Sequence, residues 1–439
     1  MAEIIPRDLG TPINQVDPFV DPDFAEFMIP PDTTAIFLDL EDPAANATNS
    51  RAHRLFRPSL VAGLTLGPPP ADPDNPQGIQ VGFLPTPDAY TGPDPVVLYD
   101  RRGLHDLQLN VPGLGQVEVW SFRANETNEA IWPATPIRVR EGRVVKTLMN
   151  NRRGPHTIHH HGIEPTAAND GVGHLTFDVG GGVLYNYQWK AKEAGTYFYH
   201  CHVNTVLHFE MGMYGLLIID PDVDGAPFTS GGPGMTYQGN TLVDYHKEAF
   251  WVVDDIDRRW HANAVHGHSQ DAGIRAGEFM RINDARNPRL HDFNPEVFVV
   301  SGVPAQWSAG RTLPNALVAL DPGGQGSVVT PRVQRGQKLL VRALNASYTT
   351  TRWRFDSRLN GTVIAADART LGREPFGRYS RPFSLASINH RFQLTTAQRW
   401  DILIDTTGLQ AGNYDTEIGF YHWITDNHIQ TIRTRIIVE

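Results

Sequence analysis

Apolar and polar residues alternate with period two through Val117-Glu118-Val119-Trp120-Ser121-Phe122, Ile137 to Gly142 and Val144 to Asn150. In a pleated strand this spacing sends successive side chains to opposite faces, so each run predicts a strand with one buried face. The run Tyr214-Gly215-Leu216-Leu217-Ile218-Ile219-Asp220 predicts a further strand, closed by a turn at Pro221. Few long amphipathic repeats of helical period occur, and 40 Gly with 33 Pro supply turns between short β-branched runs. The predicted class is all-β.

The pattern also divides the chain. Residues 1–95 are rich in Pro and Asp with little periodicity and read as an extended N-terminal arm. Within it, Ala35 to Leu38 and Leu60 to Leu64 are candidate edge strands. Residues 96–222 form a first domain, 223–242 a Gly/Pro/Ser-rich linker, and 243–439 a second domain. Arg332-Val333-Gln334-Arg335-Gly336, with Asn345 nine residues after the glycine, echoes Arg138-Val139-Arg140-Glu141-Gly142, with Asn150 eight after it. Two copies of one sandwich are the simplest explanation.

Composition narrows the partners. A formal net charge of −10 argues against nucleic acid, which calls for clustered Lys and Arg, and leaves cationic or neutral substrates open. One cysteine in 439 residues excludes an intrachain disulfide and leaves the redox compartment undecided. No run of roughly 18 apolar residues occurs, and no apolar core of signal-peptide length follows Met1. No membrane partner is expected.

The candidate chemistry lies in two stretches of the first domain, His156-Thr157-Ile158-His159-His160-His161 and His200 to Met213. The second holds Cys201, the lone cysteine, among His200, His202 and His208, with Met211 and Met213 close behind. Thiolate, thioether and imidazole donors together select copper in a trigonal site with a weak axial sulfur. Strand alternation aims His159 and His161 one way and His160 the other; likewise His200 and His202 oppose Cys201. One cysteine between two histidines can thus wire two metal sites together. A lone buried cysteine is ordinarily a small hydrophobe, but eight of the chain's 18 histidines fall between His156 and His208. For His160 and His174 the bland reading wins: one is on the wrong strand face and the other is in a loop.

These stretches resemble the multicopper oxidases, the laccase-like cupredoxin family. The match extends to the opening strands from Trp120 to Asn150, to Asp170-Gly171-Val172, and to Gly195-Thr196-Tyr197-Phe198-Tyr199-His200. The resemblance implies two cupredoxin-like Greek-key β-sandwich domains, the first carrying blue copper and the second lacking it. It makes His156, Cys201 and His208 the equatorial type 1 ligands and Met213 the axial one, with Met211 as a rival. His159, His161, His200 and His202 become ligands toward a second centre, and Asp170 a catalytic acid for bound oxygen or nitrite. His208 follows Cys201 by seven residues where laccases usually have five, which implies a longer ligand loop.

A trinuclear centre in this family draws histidines from a second domain. Here the second repeat reads Tyr348-Thr349-Thr350-Thr351-Arg352-Trp353, with no cysteine later, and another His-x-His occurs only at His266-Gly267-His268. Two outcomes therefore stand. A full cluster would borrow ligands from a neighbouring chain, another protein or residues such as His266, His268, His422 and His428. Otherwise the second site is a single type 2 copper, as in copper nitrite reductases. The resemblance implies a laccase-type copper oxidoreductase that takes electrons from a small-molecule or metal-ion substrate and passes them to oxygen. It also implies a homo-oligomer, with a trimer favoured, in a periplasmic or secreted setting. The alternatives are a nitrite-reductase-like enzyme and a non-catalytic electron-transfer or copper-binding protein.

Overall fold

The computed structural model describes residues 97–439 apart from 112, 125–131, 152–155, 166, 173–178, 180–182, 204, 224–230, 263–292, 306–316 and 319–328. The expected arm, His174, His266 and His268 lie outside the described residues.

The alternating runs fold as the pattern requires. In the first unit, β1 (Val97–Val111) pairs antiparallel with β2 (Gly115–Ala124) and parallel with β4 (Val144–Asn151), which pairs antiparallel with β6 (Val183–Lys190). A second sheet runs β3 (Ala134–Arg140), β8 (Tyr214–Asp220), β7 (Gly195–His200), β5 (His159–His161). Between the sheets, Val145, Met149, Tyr187 and Trp189 pack with Ile137, Val139, Tyr197 and Leu217, all buried. Two short helices, α1 (Ala167–Asp170) and α2 (Thr205–Glu210), lie in the connections.

The second unit repeats this plan. The hairpin β9 (Gly234–Gln238) and β10 (Thr241–Tyr245) begins inside the stretch read as a linker. Next come β11 (Lys247–Ile256), β12 (Val297–Val300), β13 (Val303–Pro304), β14 (Leu317–Val318), β15 (Arg332–Val333) and β16 (Lys338–Asn345). They are followed by β17 (Thr350–Phe355), β18 (Asn360–Ala366), β19 (Arg369–Thr370), β20 (Phe383–Ser384), β21 (Arg391–Leu394), β22 (Arg399–Asp405), β23 (Gly412–Tyr421) and β24 (His428–Val438). As β1 runs parallel to β4 and β4 antiparallel to β6, so β11 runs parallel to β16 and β16 antiparallel to β22. As β3, β8, β7 and β5 are ordered in one sheet, so are β15, β24, β23 and β17. The motif echo in the sequence is therefore an echo of strand order.

An apolar seam and a buried ion network are among the contacts that hold the units together. Phe198, Phe209, Tyr214, Leu216 and Ile218 of the first pack on Phe250, Val252, Leu344 and Ala346 of the second. Beside them lies a buried ion network: Arg138 binds Asp220 and Glu248 at 2.7 Å each, and Arg342 binds Glu248 at 2.6 Å and Asp401 at 3.4 Å. Burial alone would raise the Glu248 carboxyl, yet Arg138 and Arg342 pull it down to about 2. Losing either arginine would strand a buried charge, the costly way to break such a network.

A second buried group along this seam behaves oppositely. Asp255 accepts hydrogen bonds from Tyr348 N–H (2.8 Å) and Thr349 Oγ1 (2.6 Å), but burial still pushes its carboxyl up to about 7. A raised acid stabilises fully below its unfolded value and loses that contribution as pH rises through the folded value. Asp255→Asn removes the charge, keeping an acceptor oxygen for Tyr348 N–H and turning the second bond round so that the amide N–H donates to Thr349 Oγ1. Its stability relative to wild type should therefore grow by about 3 kcal/mol between pH 5 and pH 8. Urea denaturation at the two pH values checks this, and parallel pH profiles would refute it.

Candidate metal centres

The first cluster closes within one unit. His156 is held in a bridge to Val179, Cys201 follows the end of β7, and His208 stands on α2. Cys201 Sγ lies 3.2 Å from His208 Nδ1 and 3.6 Å from His156 Nδ1, and all three residues are buried. Met213 is tied to both loops through its backbone. Cys201 N–H donates to the Met213 carbonyl, and Met213 N–H donates to the His208 carbonyl, each at 3.0 Å. Its side chain is buried in the same core as Cys201. Helix α2 takes up the extra length between Cys201 and His208.

The turn before Met213 requires glycine. Gly212 has φ +99°, and a Cβ there would fall 2.1 Å from Trp132 Nε1, the group that donates to the Gly212 carbonyl at 3.1 Å. Trp120 approaches His208 edge-on at 5.7 Å, and its backbone N–H donates to the Met211 carbonyl at 2.6 Å. The Met211 side chain is buried in the same core as those of Cys201 and Met213.

The second cluster is set by strand pairing. In the β5–β7 register His159 faces His200 and His161 faces Phe198. One donor atom from each of His159, His161 and His200 lies within 4.8 Å of the others. His202 stands next to this trio, its ring 5.3 Å from that of His159 and 5.6 Å from that of His200. His160 points the other way, as alternation demands. It is buried against Tyr187 and Trp189, with Nε2 3.4 Å from Thr147 Oγ1.

Neighbouring oxygens orient two of these rings. His159 Nδ1 lies 2.6 Å from the Asp170 carbonyl oxygen and 3.6 Å from the Asp170 carboxylate. A proton on Nδ1 makes that hydrogen bond and leaves the Nε2 lone pair for a metal. His200 Nδ1 is likewise 2.8 Å from the Cys201 carbonyl oxygen. Gly171 makes the approach of Asp170 possible: its φ is +74°, and a Cβ would fall 2.0 Å from the Ile158 carbonyl oxygen. Burial lowers His159 and takes His200 well below the ordinary histidine value. Burial and then the Arg399 charge bring His161 down to about 3. The trio is neutral at pH 7, the protonation state that binds metal.

Among the described residues the second unit shows no equivalent cluster. In the matching register Thr350 stands where His159 does, Arg352 where His161 does, and Tyr421 where His200 does. Arg352 instead lies over the Tyr421 ring at 4.2 Å and pairs with Asp426. His422 Nδ1 accepts from the backbone of Ile424 and Thr425, and His428 Nε2 lies 2.8 Å from Thr431 Oγ1. His422 sits in the β23–β24 connection, and His428 opens β24 opposite Tyr421.

Residues that motif reading passed over complete the surroundings. Phe198 stacks on His161 at 4.4 Å and on His200 at 5.2 Å. Arg399 and Arg369 of the second unit grip the same strands, Arg399 at Thr196 and Arg369 at Gly162. Phe198 lay inside a quoted motif, but nothing in the local sequence marks either arginine.

Comparison with known proteins places this geometry. The sequence model of the multicopper oxidase family matches residues 120–224, the stretch that contains both clusters. Copper resistance protein A of Pseudomonas syringae pv. tomato is 38% identical over 63% of this chain and 41% of its own length. A copper-containing nitrite reductase of Neisseria gonorrhoeae is 34% identical over 34% of this chain and 41% of its own. This chain thus spans less than half the length of these relatives. The blue copper oxidase of Nitrosomonas europaea shares the fold, with TM-score 0.51 and 19% identity over 78% of this chain and 86% of that one.

Proposed function

We propose, from the match of residues 120–224 to the multicopper oxidase family model, that the chain is a copper-dependent oxidoreductase. His156, Cys201 and His208, with Met213 beside them, would hold a type 1 copper; His159, His161 and His200, with His202 beside them, would hold a second copper centre. The donor chemistry fits: a thiol with two buried imidazoles in one cluster, neutral imidazoles in the other. Bound copper would supply one-electron redox chemistry at the first cluster and oxygen reduction at the second.

The observation that carries this reading is the shared dipeptide. Cys201 belongs to one cluster while its neighbour His200 belongs to the other. Two peptide-linked residues thus give electrons a covalent route between the clusters. Asp170 is the candidate proton donor, since its carboxylate lies beside the His159 ring. The electron donor is a small molecule or a metal ion. Thr350, Arg352 and Tyr421 stand at the second unit's equivalents of the trio positions, so a multinuclear second centre would draw further ligands from elsewhere, and the reading favours another copy of this chain as their source, a homo-oligomer.

A second reading has its own support. Three converging histidines are enough for one type 2 copper, and copper-containing nitrite reductases are among the relatives matched. Copper content, measured together with oligomeric mass and with oxygen and nitrite turnover, separates the two. Oxygen consumption with about four coppers per chain supports the oxidase. Nitrite turnover with about two supports the reductase, and about one copper with neither turnover leaves electron transfer alone.

A further inference from the structure

Where the first unit carries its imidazoles, the matching sheet face of the second carries guanidiniums. Arg352 stands at the place of His161 and Tyr421 at that of His200. Alternate residues of a strand share a face, so Arg352 and Arg354 of β17 point the same way while Trp353 between them is buried. The register then sets Arg391 of β21 directly opposite Arg354. Like charges facing each other across two strands cost stability, so this pair does not serve the fold.

The carboxylates nearby do not offset these charges. Arg352 pairs with Asp426 at 2.6 Å, and Arg354 shares Glu417 with Arg433, which lies 2.8 Å from it. The Arg391 side chain is exposed and pairs with no carboxylate among the described residues. Four guanidiniums thus meet two carboxylates, an excess of two positive charges. The flanking ion pairs are balanced, Arg435 with Asp415 and Arg358 with Asp356. In a chain of net charge −10 the patch is a local reversal of sign.

The arginines border a groove of about 510 Å³, a size suited to a small organic ligand. Arg352 faces Gly419 across β17 and β23, and Thr431 faces Gly419 from β24, so the sheet lacks a side chain at that point. A Cβ on Gly419 would fall 2.9 Å from the Tyr421 ring, which closes one end of the groove. We infer that this groove binds a small organic di- or tricarboxylate, one carboxylate held between Arg354 and Arg391 and another over Gly419 beside Arg352. A guanidinium fork matches a carboxylate with two parallel hydrogen bonds, and two such groups answer the two excess charges. The groove uses none of the histidines of either cluster, so the inference stands apart from the copper reading.

Calorimetric titration of the copper-loaded full chain with tricarballylate at low ionic strength tests it. Binding with a Kd below about 1 mM is expected, weakening as salt screens the exposed arginines. Arg391→Gln should weaken it about tenfold, and Arg391→Lys, which keeps the charge without the fork, about threefold. Neither change should lower the melting temperature, since a like-charge contact is relieved or kept. Arg358→Gln, which removes an arginine outside the groove, should bind as wild type does. No binding by the wild-type chain at about 10 mM ligand, equal affinity in wild type and Arg391→Gln, or equal losses in Arg391→Gln and Arg358→Gln overturns the inference. Inorganic phosphate that binds as tightly as tricarballylate overturns it too, because the groove would then accept any compact anion.

Discussion

Cys201→Ser should abolish the intense visible absorption and reduce turnover by about a thousandfold or more. The colour of a type 1 site comes from thiolate-to-copper charge transfer, and Cys201 Sγ is the thiol that lies 3.2 Å from His208 Nδ1 and 3.6 Å from His156 Nδ1. Serine is close in size, and the backbone bond from residue 201 N–H to the Met213 carbonyl does not depend on the side chain. The apoprotein should therefore melt within a few degrees of wild type, a shift of roughly 1 kcal/mol. Absorption spectra of copper-loaded variant and wild type, read beside their melting curves, decide the matter. A variant that stays blue would falsify the assignment of the first cluster.

The strands were legible because period-two alternation is the direct imprint of one buried face. Val117 to Phe122 and Val144 to Asn150 fall within β2 and β4. The histidine motifs were equally legible, because β5 is three residues long and the same alternation separates His159 and His161 from His160. Contacts across the seam between units were not legible. Arg399 reaches the strand that carries His200 only because β22 docks near β7, some 200 residues away in sequence, as in its 203-residue separation from Thr196. Asp170 could be read as an ordinary turn residue until Gly171, pressed on Ile158, showed why the turn lies against His159. The absence of ligands from the second repeat was visible as missing histidines. Their replacement by Arg352 over Tyr421 needed the strand register.

His161→Ala separates the two clusters, which Cys201→Ser cannot do. His161 contributes to the second trio and to none of the first cluster's contacts. Its loss should leave the blue band intact while second-centre copper falls and turnover drops by about a hundredfold or more. The fold should tolerate the change. The imidazole is only partly buried. The cost in packing is the lost stack on Phe198, on the order of 1 kcal/mol. Copper content, visible absorption and turnover measured on one preparation distinguish the outcomes. Simultaneous loss of blue colour would mean that the first cluster depends on the second, contrary to a site built from His156, Cys201, His208 and Met213 alone. Full turnover with His161 gone would move the reacting centre away from the trio. The expected split, blue but inactive, places electron entry in the first cluster and the acceptor's chemistry at the histidine trio.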